Sequence, residues 1–291
     1  STWNIRSTWD LASPLAETAC RENVPRGTLG HLMGLIIAIA NQKGGVGKTT
    51  TAINLAHALT FANREVLLVD FDPQANATSG VGAHPEAIPP QNHYLVASDT
   101  PVRCYVTRIL GLSLLPGSSA LHAVGKILSA APDKEFRLKH ALAAHREAFD
   151  YILIDCPPSI SLFTSNALVA ADAVLVPLQC EYFAMEGLAQ MIAIIRSIRK
   201  GLNATLGIYG IVLTMFDPSV DINREVAAEV RSHFPSEVFD TPITRDMLLT
   251  EASSHARTIF EYAPRSRAAY DYACLAREVL RGPRKETGTR I

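Results

Sequence analysis

The sequence predicts an α/β protein with a doubly wound, mostly parallel sheet flanked by helices. Three observations support this prediction. From residue 33 onwards, short apolar runs alternate with segments of helical periodicity. The runs are apolar at consecutive positions, which is typical of strands buried on both faces of a parallel sheet. A glycine-rich loop joins the first run to a helix, and an aspartate closes or follows two later runs.

The elements follow in a regular order. The predicted strands are LIIAIA (35–40), EVLLVD (65–70), LSLLPG (112–117), YILID (151–155), AVLVP (173–177) and GIYGIVLT (207–214). Helical patterns follow Lys48 directly and recur at 133–148, 185–200, 221–233 and 264–281. Residues 82–101 are rich in Pro, His and Ser and predict a loop. No internal repeat or long linker interrupts residues 33–291, so we expect a single domain there.

Residues 1–32 differ from the rest of the chain. They show no clear period, and they lack the apolar core of a secretory signal. We expect residues 1–32 to be a disordered or non-native N-terminal extension, with Met33 as the natural start. A genuine flexible arm is the alternative. The mass of the native N-terminus distinguishes the two.

Composition excludes several classes of protein. The 291 residues are 48% hydrophobic and 19% charged, a globular balance, and the net charge of −1 makes the whole chain no general polyanion binder. No apolar run approaches the roughly 20 residues of a membrane span. The cysteines form no C-x-x-C pair, so we expect reduced thiols in a cytosolic protein, with neither structural zinc nor a disulfide framework. They are Cys20, Cys104, Cys156, Cys180 and Cys274.

The stretch NQKGGVGKTT (41–50) predicts a phosphate-binding loop with an irregularity. The pattern G-x-x-x-x-G-K-[ST] requires a first glycine where Gln42 stands, and Lys43 comes next. The glycines let backbone N–H groups surround phosphate oxygens at a helix N-terminus. Lys48 would reach the β- and γ-phosphates, and the Thr49 hydroxyl would bind Mg²⁺. The predicted nucleotide-binding residues are Lys43, Gly44, Gly45, Val46, Gly47, Lys48, Thr49 and Thr50.

Carboxylates at strand ends predict a metal site beside this loop. Asp155 ends the strand 151–155 in the layout of a Walker B motif, and Asp70 and Asp72 stand at the end of another strand. Residues two apart in an extended chain share a face, so both could point towards the loop. We predict Thr49, Asp72 and Asp155 as the metal-binding residues. No N-K-x-D signature is present, which favours adenine over guanine.

Three segments together carry a family resemblance. KGGVGKTTTAINLA, LLVDFDPQANATSGVG and YILIDCPPSISLFTSNAL resemble the ParA/Soj family of partitioning ATPases. The second lysine marks the deviant Walker A motif, which that family shares with MinD and the nitrogenase iron protein. The D-P-Q run is more specific to ParA and Soj. The resemblance extends from Met33 to about Leu280.

The resemblance implies a mechanism. Two protomers of such proteins close face to face around two ATP molecules, and the extra lysine, Lys43 here, reaches the partner's nucleotide. A cation supplied in trans stabilises the charge that spreads during phosphoryl transfer. Asp72 matches the residue that positions the attacking water, and Asp155 the residue that holds Mg²⁺ through water. The expected catalytic residues are Lys43, Lys48 and Asp72, with Asp70 in support.

The resemblance also implies partners and a location. An ATP-bound homodimer would bind double-stranded DNA without sequence preference, and a ParB-like protein would stimulate hydrolysis, in the cytoplasm on the nucleoid. No membrane association is expected. Soj-type relatives carry DNA-contacting arginines at two positions. This sequence has Ser219 and Leu248 there instead. The candidate DNA-binding residues are Arg199, Lys200, Arg224, Arg245, Arg257, Arg265 and Arg267.

Alternatives remain open at the sequence level. A MinD-like membrane-associated ATPase needs a C-terminal amphipathic basic helix, but Gly282-Pro283 breaks the tail. A ParA-like ATPase that positions a protein cargo is a second alternative. An iron–sulfur reductase would need a second cysteine placed like Cys156, and a repressor would need a longer segment before the loop. The segment EYFAMEGLAQM (181–191) predicts either a partner surface or a core helix with Phe183, Met185 and Leu188 inward.

Overall fold

One seven-stranded sheet organises the chain. The computed structural model describes residues 33–84, 93–96 and 102–282. The expectations for residues 1–32, and most of the predicted loop 82–101, lie outside these described residues. The strand order is β3-β4-β2-β5-β1-β6-β7, and all pairs are parallel except the antiparallel β3–β4 pair at one edge. The strands are β1 Leu35–Ile39, β2 Val66–Asp70, β3 Tyr105–Val106, β4 Leu112–Leu115, β5 Tyr151–Asp155, β6 Ala173–Gln179 and β7 Gly207–Thr214.

Helices cover both faces of this sheet, as the predicted fold class requires. One face carries α3 Leu121–Leu128, α4 Arg137–Ala143, α5 Leu162–Ala170, α6 Ala184–Gly201 and α7 Asp221–His233. The other carries α1 Lys48–Thr60, α2 Asn76–Gly80, α8 Met247–Ser254, α9 Ile259–Tyr262 and α10 Arg267–Arg281. The doubly wound prediction is confirmed.

Alternation along the central strands divides the core between the two helical layers. In β1, Ile36 and Ala38 pack with the α3–α7 layer, whereas Ile37 and Ile39 pack with the α1 layer. All five residues of β5 are buried. A strand buried on both faces has apolar residues on both, so β2 and β5 are continuous apolar runs in the sequence up to the aspartate that ends each strand.

The parallel strands bring six chain segments together. β1, β2, β4, β5, β6 and β7 all point the same way, so the residues that follow them meet at one edge of the sheet, here called the carboxyl edge. The glycine-rich loop 41–47 follows β1 at this edge. Asp70 lies beside Asp155 in register. Ligand sites in doubly wound sheets lie outside the carboxyl ends of the strands.

One predicted helix is shorter in the structure than the sequence pattern indicates. The helix predicted at 133–148 spans only Arg137–Ala143, because Asn166 Oδ1 accepts the Leu138 N–H and fixes the start of the helix from a different segment. For the segment 181–191, the sequence left a partner surface and a core helix open. Leu188 is buried and Met185 packs partly buried against the core, as a core helix requires, whereas Phe183 is exposed, as a partner surface requires. The helices α2, α3, α5, α8 and α9 and the two-residue strand β3 were not predicted from periodicity.

Candidate nucleotide-binding site

The backbone of residues 44–50 forms a row of unpaired donors. Among the residues that the structure describes, none accepts a hydrogen bond from the backbone N–H groups of this stretch. Gly45 and Gly47 have φ values of 77° and 86°, a conformation that L side chains rarely adopt. A Cβ added at Gly45 would meet no atom within 4 Å, so the loop is open there. Successive free N–H groups in such a loop form an anion-binding concavity.

Lys48 is the cation of this loop. It is the first residue of α1 and is only 7% exposed, and its Nζ donates to the Lys43 carbonyl oxygen at 2.8 Å. Burial lowers the pKa of Lys48, and the Asp155 carboxylate opposes that shift. The ammonium therefore lies inside the loop, where an anionic ligand would stabilise its charge.

Asp155 is a buried carboxylate close to the Thr49 hydroxyl and the Lys48 ammonium. It is fully buried, and neither carboxylate oxygen accepts a hydrogen bond within the described part of the chain. Burial raises the pKa of Asp155 well above its usual value, and the neighbouring Asp70 adds to the rise. The Thr49 hydroxyl and Lys48 act in the opposite direction. A hard cation between Thr49 and Asp155 would satisfy these oxygens, so the residues present fit Mg²⁺.

Asp70 and Asp72 have different surroundings. Both oxygens of Asp70 are engaged: Oδ2 accepts from Thr78 N at 2.7 Å and Thr78 Oγ1 at 2.6 Å, and Oδ1 from Asp72 N at 3.3 Å. Within the described residues, the Asp72 carboxylate accepts only the Gln74 N–H, at 2.9 Å. Asp70 therefore holds the α2 segment in place, and Asp72 keeps acceptor capacity for a ligand or water. Sequence reasoning missed Thr78, although it lies within the quoted D-P-Q run.

Lys43 stands at the rim of the loop. Its N–H donates to Asn41 Oδ1 at 3.0 Å, and the Asn41 amide donates to the Pro177 carbonyl at 2.8 Å. Its side chain is 42% exposed and forms an ion pair with Glu181, after β6. Lys43 is thus the second lysine of the loop but does not face Asp155. Sequence reasoning missed Asn41 and Glu181, which no motif marks.

Comparison with known proteins identifies the family. A family model described as an AAA domain matches residues 34–208. The chain is 45% identical over 249 residues to the sporulation initiation inhibitor protein Soj of Bacillus subtilis, covering 85% of this chain and 98% of that protein. The chain belongs to the ParA/Soj family of ATPases. It is also 45% identical over 244 residues to the chromosome-partitioning ATPase Soj of Thermus thermophilus, covering 84% of this chain and 94% of that protein.

A solved structure extends the comparison to ligands. The structure of cobyrinic acid a,c-diamide synthase from Mycobacterium smegmatis, with a bound ATP analogue and magnesium, superposes with a TM-score of 0.74. The two chains are 32% identical, and the match covers 87% of this chain and all of that chain. The prediction of ATP and Mg²⁺ as ligands of a ParA/Soj fold agrees with this relative.

The candidate DNA-binding residues of this ParA/Soj protein lie in different places. All seven are exposed. Arg199 and Lys200 end α6, which leads back to the start of β7, at the edge opposite the loop. Arg245 lies at the carboxyl edge, where its N–H donates to the Phe216 carbonyl after β7. Arg257 lies between α8 and α9, and Arg265 and Arg267 lie at the start of α10.

Two of these candidates are paired within the chain. Arg224 contacts Asp221, and Arg267 Nε donates to Asp271 Oδ1 at 2.7 Å. The two residues that replace the expected arginines have local roles. Ser219 donates to Asp217 Oδ1, and the Leu248 N–H donates to the Asp246 carboxylate at the start of α8. The structure does not gather the seven basic residues into one patch.

Exposed apolar side chains follow three strands at the carboxyl edge of this ParA/Soj protein. They follow β5, β6 and β7 and are more than a third exposed. The most exposed are Tyr182, Met247, Phe183 and Ile160, at 77%, 68%, 61% and 61%. Tyr182 and Phe183 directly follow Glu181, the partner of Lys43. Exposed apolar patches of this kind mark interaction surfaces.

Proposed function

We propose that this chain is an ATP-dependent dimerising ATPase switch for DNA segregation of a chromosome or plasmid. The position of Lys43 carries the proposal. Its ammonium lies outside its own loop, at a rim lined by exposed apolar side chains. A cation placed there can serve the phosphates of a second molecule better than its own. Proteins of ParA type at 45% identity support the partitioning role.

The described residues divide the work of hydrolysis among themselves. ATP with Mg²⁺ supplies the phosphoryl group that water accepts. The N–H groups of 44–50 and the Lys48 ammonium would hold phosphate oxygens, and Thr49 and Asp155 would hold the ion. Asp72, with an uncommitted oxygen, orients the attacking water. Hydrolysis to ADP and phosphate then depends on positioning and charge stabilisation, as phosphoryl transfer generally does.

The dimer interface would form at the same carboxyl edge of the sheet. A second copy docked there would cover the apolar side chains that follow β5, β6 and β7, and would bring Lys43 to the partner's phosphates. Removing apolar surface from water supplies the driving force. The interface closes only when nucleotide neutralises Lys43 and Lys48 of both copies, so ATP controls assembly.

DNA would be the matrix for this dimer, and a ParB-like protein would release it by stimulating hydrolysis. Lys and Arg contacts to phosphates give binding without sequence preference that weakens steeply with salt. Arg245 is the candidate nearest the switch, because its backbone is tied to the residues after β7. This activity places the protein in the cytoplasm, on the nucleoid.

A MinD-like role and a protein cargo remain the alternatives. Within residues 33–84, 93–96 and 102–282, every helix is too short or too polar to cross a bilayer. The tail that would hold a membrane-binding amphipathic helix, from Pro283 on, lies outside the described residues. Lipid vesicles therefore belong in the first experiment.

The decisive experiment measures binding to random-sequence duplex DNA with ATP and with ADP at two salt concentrations. Asp72→Ala is run alongside because it is expected to bind ATP yet hydrolyse it at least 100-fold more slowly, trapping the dimer. Asp240→Ala, which removes an exposed aspartate outside the loop and outside the strand ends that carry Asp70 and Asp155, is the matched control. We expect salt-sensitive DNA binding with ATP alone, and stronger retention by Asp72→Ala.

Two results would count against the proposal. Rapid hydrolysis by Asp72→Ala would reject the role assigned to Asp72. An ATP-dependent dimer that ignores DNA but binds anionic vesicles would favour the MinD-like alternative. Arg245→Ala and Arg199→Ala then locate the DNA face, because loss of one phosphate contact lowers the salt slope by about one.

A further inference from the structure

The last residue of β7, Thr214, lies directly beneath the phosphate loop. It is 2% exposed, and its Oγ1 donates to the Val46 carbonyl oxygen at 2.9 Å. A Cβ added at Gly47 would lie 3.8 Å from Thr214 Cγ2, so the threonine side chain is in contact with the loop. Val46 itself is buried, so its carbonyl has no access to bulk water as an alternative partner.

This single hydrogen bond fixes the orientation of one peptide plane. The Val46–Gly47 bond is trans, and in a trans peptide the C=O and N–H point in opposite directions. Because Thr214 holds the Val46 carbonyl on the β7 side, the Gly47 N–H must point to the other side, among the unpaired donors of the loop. Gly47 has φ of 86°, so the loop lacks the usual steric restraint at this position.

The other side-chain hydrogen bonds of the loop do not act on the Val46 carbonyl. Lys48 Nζ holds the Lys43 carbonyl and Asn41 holds the Lys43 N–H, so both act at the start of the loop. Among the described residues, Thr214 is the side chain that bonds the loop at Val46. Thr214 is itself rigid, because its own carbonyl accepts the Cys180 N–H and it pairs with Gln179 in register.

We propose that Thr214 is a positioning residue for phosphate binding: its hydroxyl orients the Val46–Gly47 peptide so that the Gly47 N–H faces the phosphates. The inference rests on the proposed function, since it assumes that the loop binds a polyphosphate. Preorganised donors cost no reorganisation when the ligand arrives. A loop free to rotate this peptide would present one donor fewer and would pay for ordering it on binding.

The test compares Thr214→Val, which is nearly isosteric and lacks the hydroxyl, with Thr214→Ser, which keeps it. Titrations with Mg-ATP and with inorganic tripolyphosphate measure affinity on folded protein. We expect Thr214→Val to bind both ligands about tenfold more weakly than wild type. Thr214→Ser should stay within about threefold of wild type, because it retains the donor. Equal loss for both ligands shows that the phosphate contacts change, not the base contacts.

Thr60→Val is the matched control. Thr60 is also buried and its Oγ1 also donates to a backbone carbonyl, that of His57 at 2.8 Å, at the far end of α1. We expect a lower unfolding temperature in this variant without a change in affinity. A purely structural role of Thr214 would give the same pattern and would overturn the inference, as would a Thr214→Ser as weak as Thr214→Val. Wild-type protein that binds neither ligand would overturn the proposed function as well.

Discussion

The two ends of helix α1 treat their polar groups in opposite ways. At the N-terminal end, the Lys48 ammonium is buried and the N–H groups before it have no acceptor among the described residues. At the C-terminal half, Asn54 Oδ1 accepts the Ile259 N–H at 2.8 Å, and His57 Nδ1 lies 2.7 Å from Thr258 Oγ1. One helix thus carries both an unsatisfied and a satisfied polar cluster.

The contrast distinguishes polar groups that a ligand would satisfy from polar groups whose hydrogen bonds stabilise the fold. Buried polar groups without partners cost free energy, so a folded protein keeps them where something else satisfies them. Bonds from Asn54 and His57 fasten α9 to α1 and contribute to stability with no ligand present. Substitutions at the two ends should therefore separate ligand binding from stability.

The largest expected effect is that of Lys48→Ala on binding. Loss of a buried cation that would face phosphate should lower the affinity for Mg-ATP by at least about 100-fold. Stability without nucleotide should change by less than about 1 kcal/mol, because burial already disfavours the ammonium and Asp155 can take up a proton. Calorimetric titration and thermal unfolding of the apo protein measure the two quantities. A large loss of apo stability would break the comparison drawn between the ends of α1.

Lys43→Ala should show that the rim of the loop serves dimer formation, whereas the loop interior serves ATP binding. The Lys43–Glu181 pair is partly exposed and contributes about 0–1 kcal/mol, so the stability of the apo protein should fall by no more than that. Monomer affinity for ATP should stay within about threefold, while dimer formation and partner-stimulated turnover fall at least about tenfold. Lys126→Ala, an exposed lysine on α3, is the control for analytical ultracentrifugation and turnover assays. Unchanged stimulated turnover would rule out the role in trans.

His57 should make the C-terminal end of α1 sensitive to acid. Burial lowers the pKa of His57 to about 4, and the unfolded value is 6.5. A lowered pKa means that the neutral ring stabilises the fold fully above pH 6.5 and that this stability is lost as the pH falls towards 4. Between pH 7.5 and 5 the loss is about 2 kcal/mol.

The measurement for His57 is a difference between two proteins. The raised pKa values of Asp70 and Asp155 act in the opposite direction, so they cancel only when wild type is compared with His57→Asn. Denaturant unfolding at pH 7.5 and pH 5 should show the variant losing about 2 kcal/mol less than wild type. Equal losses would mean that His57 titrates normally in the folded protein.

Ala256→Gly should have the smallest effect, and it should be stabilising. Ala256 joins α8 to α9 with φ of 53°, and its carbonyl accepts Arg108 Nη2 at 2.6 Å. An L residue in this region costs about 1 kcal/mol relative to glycine. Ala228→Gly, in the exposed middle of α7, should instead destabilise by about 1 kcal/mol. Thermal unfolding of the two variants tests the sign of each stability change. A lower stability of Ala256→Gly would show that Ala256 is not strained.

Local patterns in the sequence determined the fold class and the centre of the site. Continuous apolar runs predict parallel strands because both faces of such strands are buried, and β1, β5 and β7 appear where predicted. The loop, Lys48, Asp72 and Asp155 were predicted because phosphate and Mg²⁺ need those groups at strand ends. The resemblance to ParA/Soj proteins added the role of Lys43, which remains a proposal.

Tertiary structure alone decided which side chains complete that site. Thr214 is 168 positions from Val46, and Glu181 is paired with Lys43 through the ends of β1 and β6. No sequence spacing encodes such contacts, because they arise when distant strands align in one sheet. Asn166 on α5 likewise bonds the start of α4 from 28 positions away. A pattern of residues shows what chemistry a segment can perform, and only the packed sheet decides which partners it meets.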